Sequence, residues 1–201
     1  IVPDPPRARM RAKTRRLLAR VARRYPCVVI SGRARHDLVR CVGSVPVSHL
    51  SGNHGLEPWG QNTTYPAQVR EWVRHLKRRL APYSGIVIED KTYSVTVHYR
   101  QASDKRRARR AITRAVGYLR GARSLGGKHA LNLVPRDAPN KGIALERARR
   151  LLACDAAIYV GDDDTDEDAF NAARPERLLG IRIGARRYSR ARYILRNQEE
   201  I

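Results

Sequence analysis

Acidic residues are scarce in this 201-residue chain, where 19 Asp and Glu face 41 Lys and Arg and leave a formal net charge of +22. Large aromatics are also few, with one Phe and two Trp, so the core must be built mainly from aliphatic side chains within the 42% hydrophobic content. No apolar run approaches the roughly 20 residues that a membrane-spanning helix needs, and nothing resembles a signal peptide. Cysteine is limited to Cys27, Cys41 and Cys154, an odd number that matches no metal or redox spacing. Cys27 and Cys154 lie in or beside strand-like runs, where buried inert thiols are common. These absences set the expectation of a reducing, cytoplasmic setting. The length allows one sizeable domain or two small ones.

Only six of the 41 cations are lysine, and the rest are arginine. Residues 7–24 and 105–123 concentrate them, with Leu17, Leu18 and Val21 in the first stretch and Ile112, Val116 and Leu119 in the second at helical spacing. Phosphate neutralisation would make these stretches a nucleic-acid surface. No aromatic stacking platform or recognised nucleic-acid module accompanies them, however, which points to solvated faces of amphipathic helices rather than a nucleic-acid partner. A charge this high still steers anionic small molecules toward the protein.

Six of the 19 acids fall in one window, Asp162-Asp163-Asp164-Thr165-Asp166-Glu167-Asp168, entered through Val160-Gly161. Two carboxylates about 6 Å apart repel by roughly 3 kcal/mol at an effective dielectric of 20. A divalent cation such as Mg²⁺ would compensate, because hard cations prefer carboxylate oxygens and water. A solvated acidic helix start is the other reading, since acids suit the first helical turn. An EF-hand loop would need Gly and Glu at its sixth and twelfth positions, which are Glu167 and Ala173 here, so that reading fails.

Along the chain, hydrophobic patterning predicts a helix to about residue 24, a buried strand at 27–30, a helix at 34–42 and a strand at 47–50. The middle reads as a helix at 65–80, strands at 86–89 and 93–100, a basic helix, and a strand at 130–134. The remainder, from Asn140, reads as helix 143–152, strand 155–160 and a helix-compatible segment 166–173. Strands alternating with helices imply a parallel sheet. The middle implies a small α+β unit inserted into it, so the division is 1–55 core, 56–135 cap and 136–201 core.

Three groups then sit at expected strand ends or helix starts. Ser31-Gly32 follows a strand, where a hydroxyl and backbone N–H groups can hold a phosphoryl oxygen, or simply turn the chain. Asn140-Lys141-Gly142 opens a helix, and a lysine there opposes the helix dipole. Binding an anion or a carboxylate cluster would explain it, as would a frayed surface position. The third group is the acidic window, at the carboxyl end of a strand where open α/β sheets place ligands. Serine, lysine and clustered carboxylates together match phosphoryl transfer. No Walker-type loop is present, so an ordinary nucleotide hydrolase is excluded.

The ordered motifs Ser31-Gly32-Arg33, Gly52-Asn53-His54-Gly55-Leu56-Glu57, Glu89-Asp90-Lys91, Val97-His98-Tyr99-Arg100, Asn140-Lys141-Gly142 and Gly161 to Phe170 resemble trehalose-6-phosphate phosphatases, in the haloacid dehalogenase superfamily. The resemblance runs from Ile1 to about Tyr188. It implies an α/β fold, with a Rossmann-like parallel-sheet core and an inserted α+β cap. It also implies a Mg²⁺-dependent phosphatase that converts trehalose 6-phosphate to trehalose and phosphate. Ser31 would contact the phosphoryl group and Lys141 would steady it. Asp162 would hold Mg²⁺, with Asp163 coordinating directly or through water, and Asp166 would orient Lys141 or the waters around the metal. Glu89, Lys91, Arg100 and Lys128 would grip sugar hydroxyls. Asn53 and His54 would line the cleft at the core–cap junction, His54 having a turn role as its alternative.

Two departures from the family pattern qualify this picture. The family's Asp-X-Asp-Gly-Thr motif would precede Ile1 and is not found in the chain. Its first Asp attacks phosphorus to give an aspartyl-phosphate, and its second is the general acid and base. Without them this chain is expected to be inactive by itself, and the central first strand of the sheet is expected to be missing. The second departure is Asn132, in Gly127-Lys128-His129-Ala130-Leu131-Asn132, where the family has Glu against a glucose unit. Asn keeps a carbonyl acceptor but loses the charge-assisted hydrogen bond. A capped phosphatase for another sugar phosphate, and a catalytically dead sugar-phosphate-binding module, are the alternatives.

Overall fold

The structure, a computed structural model, describes residues 10–59, 64–127, 129–172, 176–184 and 188–200. The first segment holds helix α1 (Ala12–Ala22), strand β1 (Val28–Ile30), helix α2 (Arg35–Val42) and strand β2 (His49–Ser51). The middle holds α3 (Thr64–Leu80), β3 (Val87–Asp90), β4 (Val95–His98), α4 (Lys105–Val116), β5 (Ala122–Gly127) and β6 (Ala130–Pro135). The last segment holds α5 (Lys141–Leu151), β7 (Ala157–Gly161), α6 (Glu167–Phe170), β8 (Leu178–Ile183) and β9 (Tyr193–Leu195). No described helix is long and apolar enough to cross a membrane.

The chain divides into two compact units. The first comprises Ile1–Trp59, Pro139–Asp162 and Asp166–Ile201. Its strands form two parallel sheets, β1–β2 and β7–β8–β9, with Val28 opposite His49 and Val160 opposite Ile181. Parallel pairing requires crossover connections, and α2 provides one between β1 and β2 and α6 one between β7 and β8. Ile30 packs into the cluster of Leu145, Tyr159, Ala169, Phe170 and Leu178, so the ends of β1 and β7 come together beside α5. Tyr159 meets Phe170 edge to face, with centroids 5.6 Å apart.

The second unit is Gly60–Ala138 with Asp163–Thr165. It carries an antiparallel sheet in the order β3-β4-β6-β5. Helices α3 and α4 cover it, burying Val69, Trp72, Val73 and Leu76 from one and Ile112 and Ala115 from the other against Val95, Val97 and Leu133. Each such side chain contributes about 1.5–3 kcal/mol when taken from water. Trp72 also donates its indole N–H to the Arg120 carbonyl at 3.3 Å.

Several elements differ from their sequence reading. The basic helix stops at Val116 rather than 123, and a strand, β5, follows it. Gly121 takes φ +69°, which lets the chain reverse, and β5 then pairs with β6 in the register Leu125 opposite Asn132. Strands β8 and β9 had no clear signal, because Gly180 and Arg182 interrupt the apolar pattern of β8. Arg182 is tolerated at 5% exposure because Glu167 and the Asp162 carbonyl accept from it. The segment read as a helix over 166–173 contains a four-residue helix preceded by a 3-10 turn, Asp164–Asp166.

The two helices of the second unit carry unusual charge. Like charges four residues apart on a helix cost about 0.2–0.5 kcal/mol per pair. Arg70, Arg74 and Arg78 on α3, and Arg106, Arg110 and Arg114 on α4, form two such rows, all exposed.

The three cysteines form no disulfide, and burial pushes the Cys27 thiol up, which makes it less reactive. His49 stacks on Trp59 with ring centroids 4.3 Å apart. Burial, and then the Arg35 charge, hold His49 below its ordinary pKa. A proton therefore binds the unfolded chain more readily, so this residue contributes nothing at high pH and destabilises the fold as pH falls through about 6.5. His49→Gln is expected to flatten the fall in urea-unfolding stability between about pH 7.5 and 5.5; an unchanged slope would refute the assignment.

Candidate active site

Ser31 directly follows β1, where its hydroxyl accepts from the Arg33 N–H at 3.2 Å. The next residue must be small: a Cβ on Gly32 would lie 2.5 Å from the His54 ring. His54 donates its backbone N–H to the Ser31 carbonyl at 2.9 Å, so the two turns lock together. Asn53 and His54 both hold left-handed backbone, at φ +48° and +59°. That strain is supported by Glu57, whose Oε2 accepts from the Asn53 amide and from the Arg35 N–H, each at 2.7 Å. Gly55 then abuts the start of α5, since a Cβ there would meet the Asn140 carbonyl at 2.6 Å. Ser31, Asn53 and His54 thus form one cluster that borders the helix carrying Lys141.

Asn140 caps α5 by accepting from the Ile143 N–H at 3.0 Å. Lys141 follows it into the interior with 6% exposure, and its Nζ lies 2.7 Å from Asp166 Oδ1. The ion pair answers the sequence puzzle of a lysine at a helix start. Tyr159 donates its hydroxyl to the same Oδ1 at 2.7 Å, and the Asp162 N–H donates to Oδ2 at 2.9 Å. One carboxylate therefore ties α5, β7 and the start of the acidic loop together. Gly161 is required beside it, because a Cβ there would sit 2.4 Å from Asp166 Cγ.

The acidic window is consequently not uniform. Asp166 is spent inward, with 4% exposure. Glu167 is spent on structure, accepting from Arg182 at 3.0 Å, the Ser189 hydroxyl at 2.8 Å and the Arg190 N–H at 2.8 Å. Arg182 also donates to the Asp162 carbonyl at 3.1 Å, fixing the backbone of that residue. Asp163 and Asp164 are exposed, and Asp162 is half-buried. Among the described residues no group of three or more His, Cys, Asp or Glu is placed to hold a metal. Magnesium usually takes one or two carboxylates and completes its shell with water and substrate phosphate. Asp162, with Asp163 next in sequence, suits that ion by donor chemistry and would not suit one that needs an all-protein cage.

In the second unit, Glu89, Thr96 and Asn132 are neighbours across three strands. Lys91 Nζ lies 3.7 Å from Glu89 Oε2, and His98 Nε2 lies 2.8 Å from it. Thr96 donates its hydroxyl to Asn132 Oδ1 at 2.7 Å. The carbonyl acceptor expected of Asn132 is thus already engaged, and its amide N–H₂ is what it offers a ligand. Arg100 is exposed just beyond β4, and Lys128 lies outside the described residues. Tyr159, Arg182 and Thr96 were not singled out from the sequence, and His98 stood there only as part of a motif, without a role. Tyr159 looked like one more apolar strand residue, while His98 and Thr96 share a face with Glu89 and Asn132 only through strand register.

The trehalose-phosphatase family pattern matches residues 1–196. The trehalose-phosphate phosphatase of Mycobacterium avium is 36% identical over 198 residues, covering 91% of this chain and 50% of that protein. The corresponding protein of Mycolicibacterium paratuberculosis is 35% identical, with the same coverage. The chain spans about half the length of these relatives. Among solved structures, the C-terminal domain of trehalose-6-phosphate phosphatase from C. albicans superposes with a TM-score of 0.78 at 21% identity, covering 100% of this chain and 84% of that one, a likeness of fold.

Proposed function

The chain belongs to the trehalose-phosphatase family of the haloacid dehalogenase superfamily, and from that membership we propose that it carries the lysine and metal half of a sugar-phosphate phosphatase site acting on trehalose 6-phosphate. The observation that carries this reading is the buried Lys141–Asp166 pair at 2.7 Å, built against the Asp162 backbone. Burying a charge pair is costly, and its position at the carboxyl end of β7 gives it a use beyond folding.

In the proposed reaction, the Lys141 ammonium neutralises charge that accumulates on the transferring phosphoryl group. Asp166 holds the ammonium in place. The Ser31 hydroxyl and the N–H groups that follow β1 hold a second phosphoryl oxygen. Asp162, together with Asp163, would hold Mg²⁺, which supplies Lewis-acid neutralisation of phosphoryl oxygens when bound. The attacking aspartate and its acid–base partner come from an Asp-X-Asp-Gly-Thr segment that these 201 residues do not contain. The family resemblance assigns Glu89, Lys91, Arg100, Lys128 and Asn132 to sugar hydroxyls, and Asn53 and His54 to substrate binding.

Asn132 favours a second reading, in which a different sugar phosphate is the substrate. With its carbonyl engaged by Thr96, it donates where the family's glutamate accepts. Phosphate release from a panel of sugar phosphates distinguishes the two, using the chain joined to the Asp-X-Asp-Gly-Thr segment; the 201 residues alone are expected to stay at background. In the joined protein, Asp162→Asn is expected to lower kcat by about 10²-fold or more and to weaken Mg²⁺ binding measured by calorimetry. Full activity with unchanged Mg²⁺ affinity would rule Asp162 out as the ligand.

A further inference from the structure

The cation rows on α3 and α4 take no part in the chemistry above, and we propose that this face binds the phosphate backbone of nucleic acid without reading its sequence. Arg70, Arg74 and Arg78 line one helix and Arg106, Arg110 and Arg114 the other, and all six are exposed. The helices share one core cluster over the sheet, so both rows belong to one surface. None of the six lies within salt-bridge distance of a described carboxylate. The acids of the two helices and their caps are Glu71 and Asp104, and Asp104 is used to cap α4, accepting from the Arg107 N–H at 2.8 Å.

Most of this arrangement costs the fold, although Arg78 and Arg114 lie in last helical turns, where the dipole favours cations. Each row repels itself, and Lys105, Arg106 and Arg107 oppose the dipole at the start of α4. A polyanion would reverse the sign of these unfavourable contributions. Arginine predominates, and its planar fork suits phosphate oxygens. Each row spans about 12 Å along its helix, a length over which a duplex presents about seven charges. An anionic bilayer fits less well, because no large hydrophobic side chain of α3 or α4 is exposed for insertion. Just beyond α4, Tyr118 is 61% exposed, with the Arg79 guanidinium 4.8 Å from its ring centroid. The sequence grouped residues 105–123 with 7–24, whereas the structure pairs α4 with α3.

Fluorescence anisotropy of the 201-residue chain with a labelled DNA duplex of about two helical turns, repeated across a salt series, tests the proposal. The slope of log K against log salt is expected near −5, for about six phosphates. R106Q/R110Q/R114Q and R70Q/R74Q/R78Q are each expected to lose at least tenfold in affinity and to reduce the slope by about 3. R15Q/R16Q/R20Q makes the same change in net charge on α1 and is expected to keep the parental slope within about 1. Relief of repulsion should leave the α4 variant melting no lower than the parent. Equal losses in the α1 and α4 variants would reduce the binding to net charge and overturn the proposal. So would row-dependent binding to phosphatidylserine vesicles in the absence of duplex binding.

Discussion

Lys141→Met is expected to lower the free energy of unfolding by about 3–5 kcal/mol, the usual cost of breaking a buried ion pair from one side. The methionine fills much of the volume that the lysine stem occupied. What it leaves behind is Asp166, a carboxylate with 4% exposure that has lost the Lys141 charge while still accepting from the Tyr159 hydroxyl and the Asp162 N–H. Urea unfolding measures the loss. The double variant Lys141→Met/Asp166→Asn is expected to recover part of it, because the unpaired charge is gone and the amide carbonyl still accepts from Tyr159, while the amide N–H₂ now faces the Asp162 N–H and that hydrogen bond is lost. Activity separates the two roles of the lysine. In the chain joined to the Asp-X-Asp-Gly-Thr segment, both variants are expected to lose about 10²–10³-fold in kcat. Recovery of activity alongside stability in the double variant would show Lys141 to be purely structural.

Gly142→Ala is expected to destabilise the protein by about 2 kcal/mol, although alanine is the better helix former by about 1 kcal/mol. The reversal comes from packing. A Cβ at this position would lie 2.3 Å from the Asp168 carbonyl oxygen and 2.9 Å from Ala172 Cβ. The first of these is backbone, so α5 and α6 must separate for the methyl to fit. That movement would carry Lys141 away from Asp166. A fall in melting temperature of about 4–8 °C is the expected readout for a chain of this size. A variant that melts at or above the parent would show that the helices separate without cost, and the tight α5–α6 approach would lose its importance for the site.

Both expectations rest on contacts that sequence reasoning reached unevenly. The strand ends at Ile30 and Val160, the helix start at Asn140 and the inserted α+β middle were legible, since short apolar runs and capping residues are local signals. Ser31, Lys141 and Asp162 could be singled out for the same reason. The division of labour inside the acidic window was not legible. Six acids in seven residues look alike in sequence, yet Asp166 is buried against Lys141, Glu167 is committed to Arg182 and Ser189, and Asp163 faces solvent. Strand β5 was missed because its arginine and glycines favour other structure, and only pairing with β6 makes it a strand.

The sequence by itself determined which residue types are present for phosphoryl chemistry, their order along the chain and the family to which they belong. Those are properties of spacing and composition, carried by near neighbours. Only the tertiary structure decided that Tyr159 and the Asp162 N–H share one carboxylate with Lys141, that Asn132 turns its acceptor toward Thr96, and that the arginines of α3 and α4 form a single surface. Each of these depends on strand register or on helices meeting across a core. The partners are then distant in sequence, and burial rather than local preference selects them.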